Sequence, residues 1–217
     1  MRYFSYRMMY VMMLSGGDRV PKDTFYNLSD EKKKRIFDAA MQEFSNRRFS
    51  DASLNQIVKA AKIPWGSFYQ YFNDKEDIYL YMLEEIAKEK QEILRCAEDL
   101  DQDADVFETM IHKAKAALEL SKVKPEYSRI GMQMELDNSE FIMKIRRISA
   151  EKYIRMIERD KKRGLIKPET DSELVLNMIF TFGLNEYYRN GLDEERYLKM
   201  LNDVIKIIKE GIAVFKE

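Results

Sequence analysis

The chain has 217 residues, 45% hydrophobic and 35% charged, with eight glycines and four prolines, a balance that suits one large or two modest folded domains and excludes a disordered chain. A net charge of −1 excludes bulk polycationic binding, so any surface for nucleic acid must be locally positive. The single cysteine, Cys96, excludes an intrachain disulfide and fits a reducing, cytoplasmic setting, and no apolar run is long enough to span a membrane.

Residues 1–19, M-R-Y-F-S-Y-R-M-M-Y-V-M-M-L-S-G-G-D-R, match nothing else in the chain. Arg2 and Arg7 followed by Met8–Leu14 have the outline of a signal peptide, but the apolar stretch is of minimal length and no small-x-small cleavage site follows. We read the segment as a non-native or disordered leader. The codons of Ser15-Gly16-Gly17-Asp18 can spell a ribosome-binding purine run, and Val20 a GTG start. From Ser29 a helix is expected, with Ser29 as cap and Asp30 and Glu31 in its positive first turn. Ile36, Phe37, Ala40, Met41 and Phe44 form its apolar face. Lys32, Lys33, Lys34 and Arg35 form a basic run, read equally well as a solvated helix end or as part of a DNA-facing surface, and Arg47-Arg48 lie in the loop that follows.

Leu54, Ile57, Val58 and Ala61 then fall at i, i+3, i+4 and i+7, the face of a second helix. Ser53 and Gln56 have the spacing of a capping box at its start. Pro64 ends this helix near Lys62-Ile63 and opens a third over Trp65–Tyr71. A helix that short is not stable alone, so Phe68 and Phe72 must anchor it, leaving Trp65, Ser67, Gln70 and Tyr71 outward. A capped helix, a turn and a short helix with a hydrogen-bonding outer face are what a DNA-reading helix-turn-helix requires.

The residues Ala39-Ala40, Phe44, Ser53, Ile57, Ala61, Gly66-Ser67-Phe68-Tyr69, Tyr71-Phe72, Lys75 and Glu76 resemble the amino-terminal domain of TetR/AcrR-type transcriptional regulators. Lys62 stands where that family usually has a turn glycine, Pro64 where it has a Ser or Thr cap, Trp65 at a position often basic and Tyr71 at one often His. The resemblance implies that Tyr69, Tyr71 and Lys75 contact phosphates and that Asn55, Trp65, Ser67 and Gln70 face base edges. Ser53 at a helix amino-terminus would sit beside a phosphate, and Gly66 would let the backbone approach the duplex. Gln70 could pair with adenine and Trp65 could pack on a thymine methyl.

A long helix is expected from Asn73, with Glu76 three residues on, to about Cys96. The polar stretch Glu98–Asp103 then marks a break. Helices follow at roughly 104–122, 125–137 and 140–163, the last closed by Gly164 and Pro168. A helix from Asp171 is almost continuously apolar over Leu174–Leu184 and must be covered on both sides. In the last helix Leu198, Leu201, Ile205, Ile208, Ile212 and Phe215 step as a heptad-like seam, widened by Val204 and Ile207. Helices at about 171–190 and 194–215 are therefore expected to form a homodimer interface, as in the family; a helix pair inside one core is the alternative. Phe107, Met110, Met132, Met134, Phe141, Met156, Met178, Phe182 and Tyr187 are candidate linings of a pocket for an apolar small-molecule effector, although such residues at helical spacing are more often core.

An enzyme is the rival class. His112 is the only histidine, which excludes metal centres needing several imidazoles, and its i, i+4 partner Glu108 reads as structural. No glycine-rich phosphate loop and no G-x-S-x-G element occurs, and no cofactor or metal is expected. The expectation is an all-α chain: the leader 1–19, a three-helix helix-turn-helix domain over 20–77, and a larger helical effector-binding and dimerisation domain over 78–217. Its function would be that of a ligand-responsive regulator, a repressor bound as a dimer to palindromic double-stranded DNA. The alternative is a helical protein-interaction module that has lost DNA binding.

Overall fold

The computed structural model describes residues 20–94, 103–190 and 193–212, and every regular element among them is helical. The expected leader 1–19 lies outside the described residues, as do Cys96 and Phe215. The helices are α1 (Asp23–Tyr26), α2 (Asp30–Asn46), α3 (Leu54–Ala60), α4 (Trp65–Tyr71), α5 (Lys75–Leu94), α6 (Val106–Val123), α7 (Pro125–Leu136), α8 (Glu140–Lys162), α9 (Ser172–Asn190) and α10 (Glu194–Ile212). They divide into two compact units, Met1–Arg95 with Val123–Arg146, and Cys96–Lys122 with Arg147–Glu217. The expected functional boundary near residue 77 falls inside the first of these.

In the first unit α2 packs against α3, α5 and α7, burying Ile36, Ala39, Ala40, Met41 and Phe44. Ser29 caps it as expected, its side chain accepting the Lys32 N–H. Around Phe44 an aromatic cluster forms: the Tyr79 ring meets Phe44 edge-on at 4.8 Å, and Phe49 lies 4.7 Å from Phe141. Phe141 is thus a core residue of this unit, and burial pushes the Tyr79 phenol well above its ordinary pKa. The α7–α8 junction is fixed by Asp137, whose carboxylate accepts the N–H of Ser50 at 2.6 Å and of Ser139 at 2.8 Å. Burial alone would raise its pKa, but hydrogen bonds from Ser139 and Ser50 outweigh that and hold it at about 2.

The start of α5 departs from the expected Asn73/Glu76 pairing. Asp74 accepts the Asp77 N–H at 2.9 Å, so the cap sits one residue later, while the Asp77 carboxylate reaches back past it to the Asn73 N–H at 2.7 Å. Burial pushes the Asp77 carboxyl above its ordinary pKa.

The core of the second unit gathers Val106, Phe107 and Met110 of α6, Ile157 of α8, Val175, Leu176 and Ile179 of α9, and Leu201, Ile205 and Ile208 of α10. α6 opens with a capping box: Asp105 accepts the Glu108 N–H at 2.8 Å and Glu108 the Asp105 N–H at 2.9 Å. That is the use the structure finds for Glu108. The fully buried Asp160 accepts the Val106 N–H at 2.7 Å and is neutralised by Arg159 and Arg163. α8 ends at Gly164 (φ 71°), with Gly164 N–H to the Lys161 carbonyl and Leu165 N–H to the Asp160 carbonyl, a Schellman closure. Asp171 caps α9 by accepting the N–H groups of Glu173 and Leu174. Where α9 packs on α10, a Cβ on Gly183 would come within 3.3 Å of the Tyr197 hydroxyl, which explains a glycine there.

The seam read along α10 is mostly spent internally. Leu201, Ile205 and Ile208 are buried in this unit's own core, whereas Ile207 is 69% exposed. The apolar residues left outward lie chiefly on α9, where Leu174, Met178 and Phe182 recur every fourth position at 57%, 40% and 49% exposure.

Candidate nucleic-acid interface

The turn between α3 and α4 is built without glycine. Ala61 closes α3, and Lys62 adopts φ 53°, in the left-handed region. The Lys62 N–H bonds the Lys59 carbonyl at 3.2 Å and the Ile63 N–H the Val58 carbonyl at 3.3 Å, the same closure that Gly164 makes in α8. Lys62 thus reproduces the family's glycine turn at a steric cost of ~1–2 kcal/mol. The Ser53/Gln56 capping box does not form: the Ser53 side chain makes no cap bond, and the Ser53 N–H instead donates to Glu43 Oε1 at 2.9 Å. The anchoring carboxylate comes from α2, which ties the start of α3 to that helix.

α4 is held by Phe68 and Phe72, both fully buried, their rings 5.5 Å apart. Its outer face carries Trp65 at 42% and Tyr69 at 46% exposure, with Gly66 and Gln70 also exposed and Ser67 half-buried. The Trp65 ring stacks over Phe68 and meets Tyr69 edge-on at 5.7 Å, making a short aromatic ridge. A Cβ on Gly66 would meet nothing within 4 Å, so no internal packing demands a glycine there. On α3, Asn55 is exposed and Ser53 half-buried.

Tyr71 corrects the expected outward set. It is only 5% exposed, its ring lies edge-on to Phe25, and its hydroxyl accepts from Lys32 Nζ at 3.0 Å. The hydroxyl that the resemblance assigns to a phosphate is thus held by an ammonium of the same chain. Lys75 Nζ donates to the carbonyls of Ser50 and Ala52 at 3.3 and 3.1 Å and lies over the Phe49 ring. It thereby closes the loop ahead of α3, and this occupation offsets its unfavourable place in the first turn of α5. The basic run of α2 is likewise engaged: Lys33 with Asp30, Lys34 with Asp38 and Arg35 with Glu31. Arg47 and Arg48 pair with Glu43 and Asp51.

One component had no sequence signal. α1 and the residues before it close the far end of α4: the Lys22 N–H donates to the Tyr71 carbonyl at 2.9 Å, Lys22 Nζ to the Tyr69 carbonyl at 2.9 Å, and Thr24 Oγ1 to the Gln70 carbonyl. Phe25 is 1% exposed and packs among Tyr71, Phe72 and Tyr81.

The nine effector-pocket candidates do not converge. Phe107, Met110 and Met156 pack together in the second unit's core, and Phe141 belongs to the aromatic cluster of the first. Met132 and Met134 are half-buried on α7, Met178 and Phe182 are exposed on α9, and the Tyr187 side chain lies outside the described residues. A surface cavity of about 470 Å³ in the first unit is lined by other residues, among them Tyr26, Phe37, Tyr81 and Lys88. Among the described residues no group of three or more His, Cys, Asp or Glu could hold a metal, and no helix is long and apolar enough to cross a membrane.

A closed turn, a short helix anchored on one side and a hydrogen-bonding, aromatic outer face define a helix-turn-helix DNA-binding regulator. Residues 36–82 match the family model described as bacterial regulatory proteins, tetR family. The fatty acid metabolism regulator protein of Bacillus subtilis is 27% identical over 194 residues, covering 83% of this chain and 95% of that protein. A TetR family transcriptional regulator from Chloroflexus aurantiacus J-10-FL is 25% identical with a TM-score of 0.65, covering 91% of this chain and all of the other. The fatty acid degradation regulator FadR from Bacillus halodurans shares the fold at 20% identity and a TM-score of 0.59, over 82% of this chain and 98% of that one. Residues 36–82 thus carry the amino-terminal domain of the tetR family, and the chain as a whole is similar to ligand-responsive, DNA-binding transcriptional regulators of the TetR/AcrR type.

Proposed function

We propose that the chain is a repressor that binds a palindromic operator as a dimer and is released by a small apolar effector. Residues 20–77 hold the DNA-binding function and 78–217 effector binding and dimerisation. The observation that carries the reading is α4: its inward side is taken by Phe68, Tyr71 and Phe72, while Trp65, Gly66, Tyr69 and Gln70 stand exposed. Asn55, Trp65, Ser67 and Gln70 face base edges; Ser53, Tyr69 and Lys75 serve the phosphates, and Gly66 admits the backbone to the duplex. Tyr71 acts one step removed, by holding Lys32. Leu174, Met178 and Phe182 support a dimer through α9, where their exposure in a single chain leaves an apolar stripe to be covered. Relatives named for fatty acid metabolism and degradation support an acyl chain as the apolar part of the effector.

The test is titration of the dimer against its own upstream DNA and a scrambled duplex at two salt concentrations. Selective retardation, relieved by fatty-acyl compounds, is expected. Absence of DNA affinity even at low salt would instead favour an interaction module built on the same helices.

A further inference from the structure

We infer that Lys22 and Thr24 are positioning residues for the DNA-reading helix, setting its far end through three hydrogen bonds to its backbone; this rests on the assignment of α4 as the helix that faces base edges. The last carbonyls of any α-helix lack partners within the helix. In a helix of seven residues those carbonyls are a large share of the backbone, and so short a helix has little stability of its own. Here the final three residues, Tyr69, Gln70 and Tyr71, each have their carbonyl taken by the arm: Lys22 Nζ, Thr24 Oγ1 and the Lys22 N–H respectively. Phe68, Tyr71 and Phe72 fix how deep α4 lies and which face it buries, but rings on one side leave its carboxy-terminal end free to tilt. The arm bonds are directed along the helix, from residues 46 and 47 positions away, and remove that freedom. A tilt of α4 moves Gln70 and Ser67 against base edges, where hydrogen-bond geometry is strict, more than it disturbs phosphate contacts. Thr24 is exposed and Lys22 half-buried, so replacing their side-chain donors does not open the core.

The experiment compares the full-length protein with Thr24→Val, Thr24→Ser and Lys22→Met, measuring affinity for the upstream duplex and for a scrambled duplex at two salt concentrations. Amide hydrogen exchange over residues 65–72 is followed in the free proteins. Thr24→Val should weaken the cognate duplex by about three- to tenfold, the worth of one hydrogen bond. Scrambled-duplex affinity and the salt slope should stay unchanged, and exchange in α4 should accelerate. Thr24→Ser should restore both, and Lys22→Met should behave as Thr24→Val. Equal losses on cognate and scrambled DNA would mark mere destabilisation and overturn the inference, as would unaltered exchange in Thr24→Val. If the unmodified protein bound no duplex selectively while exchange still accelerated, the clamp would stand and the DNA assignment of α4 would fall.

Discussion

Replacing Lys62 by glycine should stabilise the protein although it removes a charged side chain and adds no contact. Lys62 sits at φ 53°, where Cβ crowds the following carbonyl at ~1–2 kcal/mol. Glycine escapes that crowding but loses more chain freedom on folding, ~0.5–1 kcal/mol. The net expectation is a gain of ~0.5–1 kcal/mol, or about 1–4 °C in melting temperature for a chain of this size. Lys62→Ala is the necessary reference, because it removes the same exposed ammonium while keeping Cβ. Gly164→Ala is the mirror experiment: φ is 71° and the added Cβ meets nothing within 4 Å, so only the backbone term is exerted and stability should fall. Urea titrations at fixed protein concentration, since any self-association would feed into apparent stability, measure all three. If Lys62→Gly proved no more stable than Lys62→Ala, the left-handed turn would be wrong.

Other outcomes follow from single contacts. Gly66→Ala should raise stability by ~0.5–1 kcal/mol, as for any helical glycine with free space, yet weaken binding to the upstream duplex; denaturation and anisotropy measure the two opposed effects. Asp137 has its pKa depressed from an ordinary 3.8 to about 2, so its contribution, about 2 kcal/mol, is complete above pH 4 and disappears as pH falls toward 2. Asp137→Asn should therefore cost stability at pH 7 but little at pH 2, and an equal cost at both would refute the charge-based account. Lys75→Ala should weaken cognate and scrambled DNA alike and lower the salt slope by about 1; a change in stability alone would confine Lys75 to closing the Ser50–Ala52 loop. Phe182→Asp should convert dimer to monomer in sedimentation without unfolding the chain, because the ring is 49% exposed in the single protomer.

Helix positions were legible because each rests on local chemistry: Ser29, Asp171 and Gly164 cap or close where a one-dimensional reading puts them. The inward pair Phe68 and Phe72 and the outward Trp65 and Gln70 follow from helical spacing alone. Apart from the start of α5, where Asp74 and Asp77 displace the neighbouring pair, what failed depended on partners from other helices. Tyr71 turned inward because Lys32, 39 residues away, answers its hydroxyl, and Ser53 lost its box because Glu43 captured its N–H first. The α10 stripe steps identically whether it faces a partner subunit or its own core, and periodicity carries no information about which. The effector candidates scattered for the same reason: Phe107 and Met110 are what a buried helix face needs in any case.

The short arm ahead of α2 has a consequence for how such regulators are compared and trimmed. The family match covers 36–82, and neither Lys22 nor Thr24 falls within it. Two paralogues with identical reading helices but different residues at 22 and 24 would share a predicted recognition code and still discriminate operators differently. A fragment cut to begin at Ser29 would keep the three helices of the motif and lose part of its sequence selectivity.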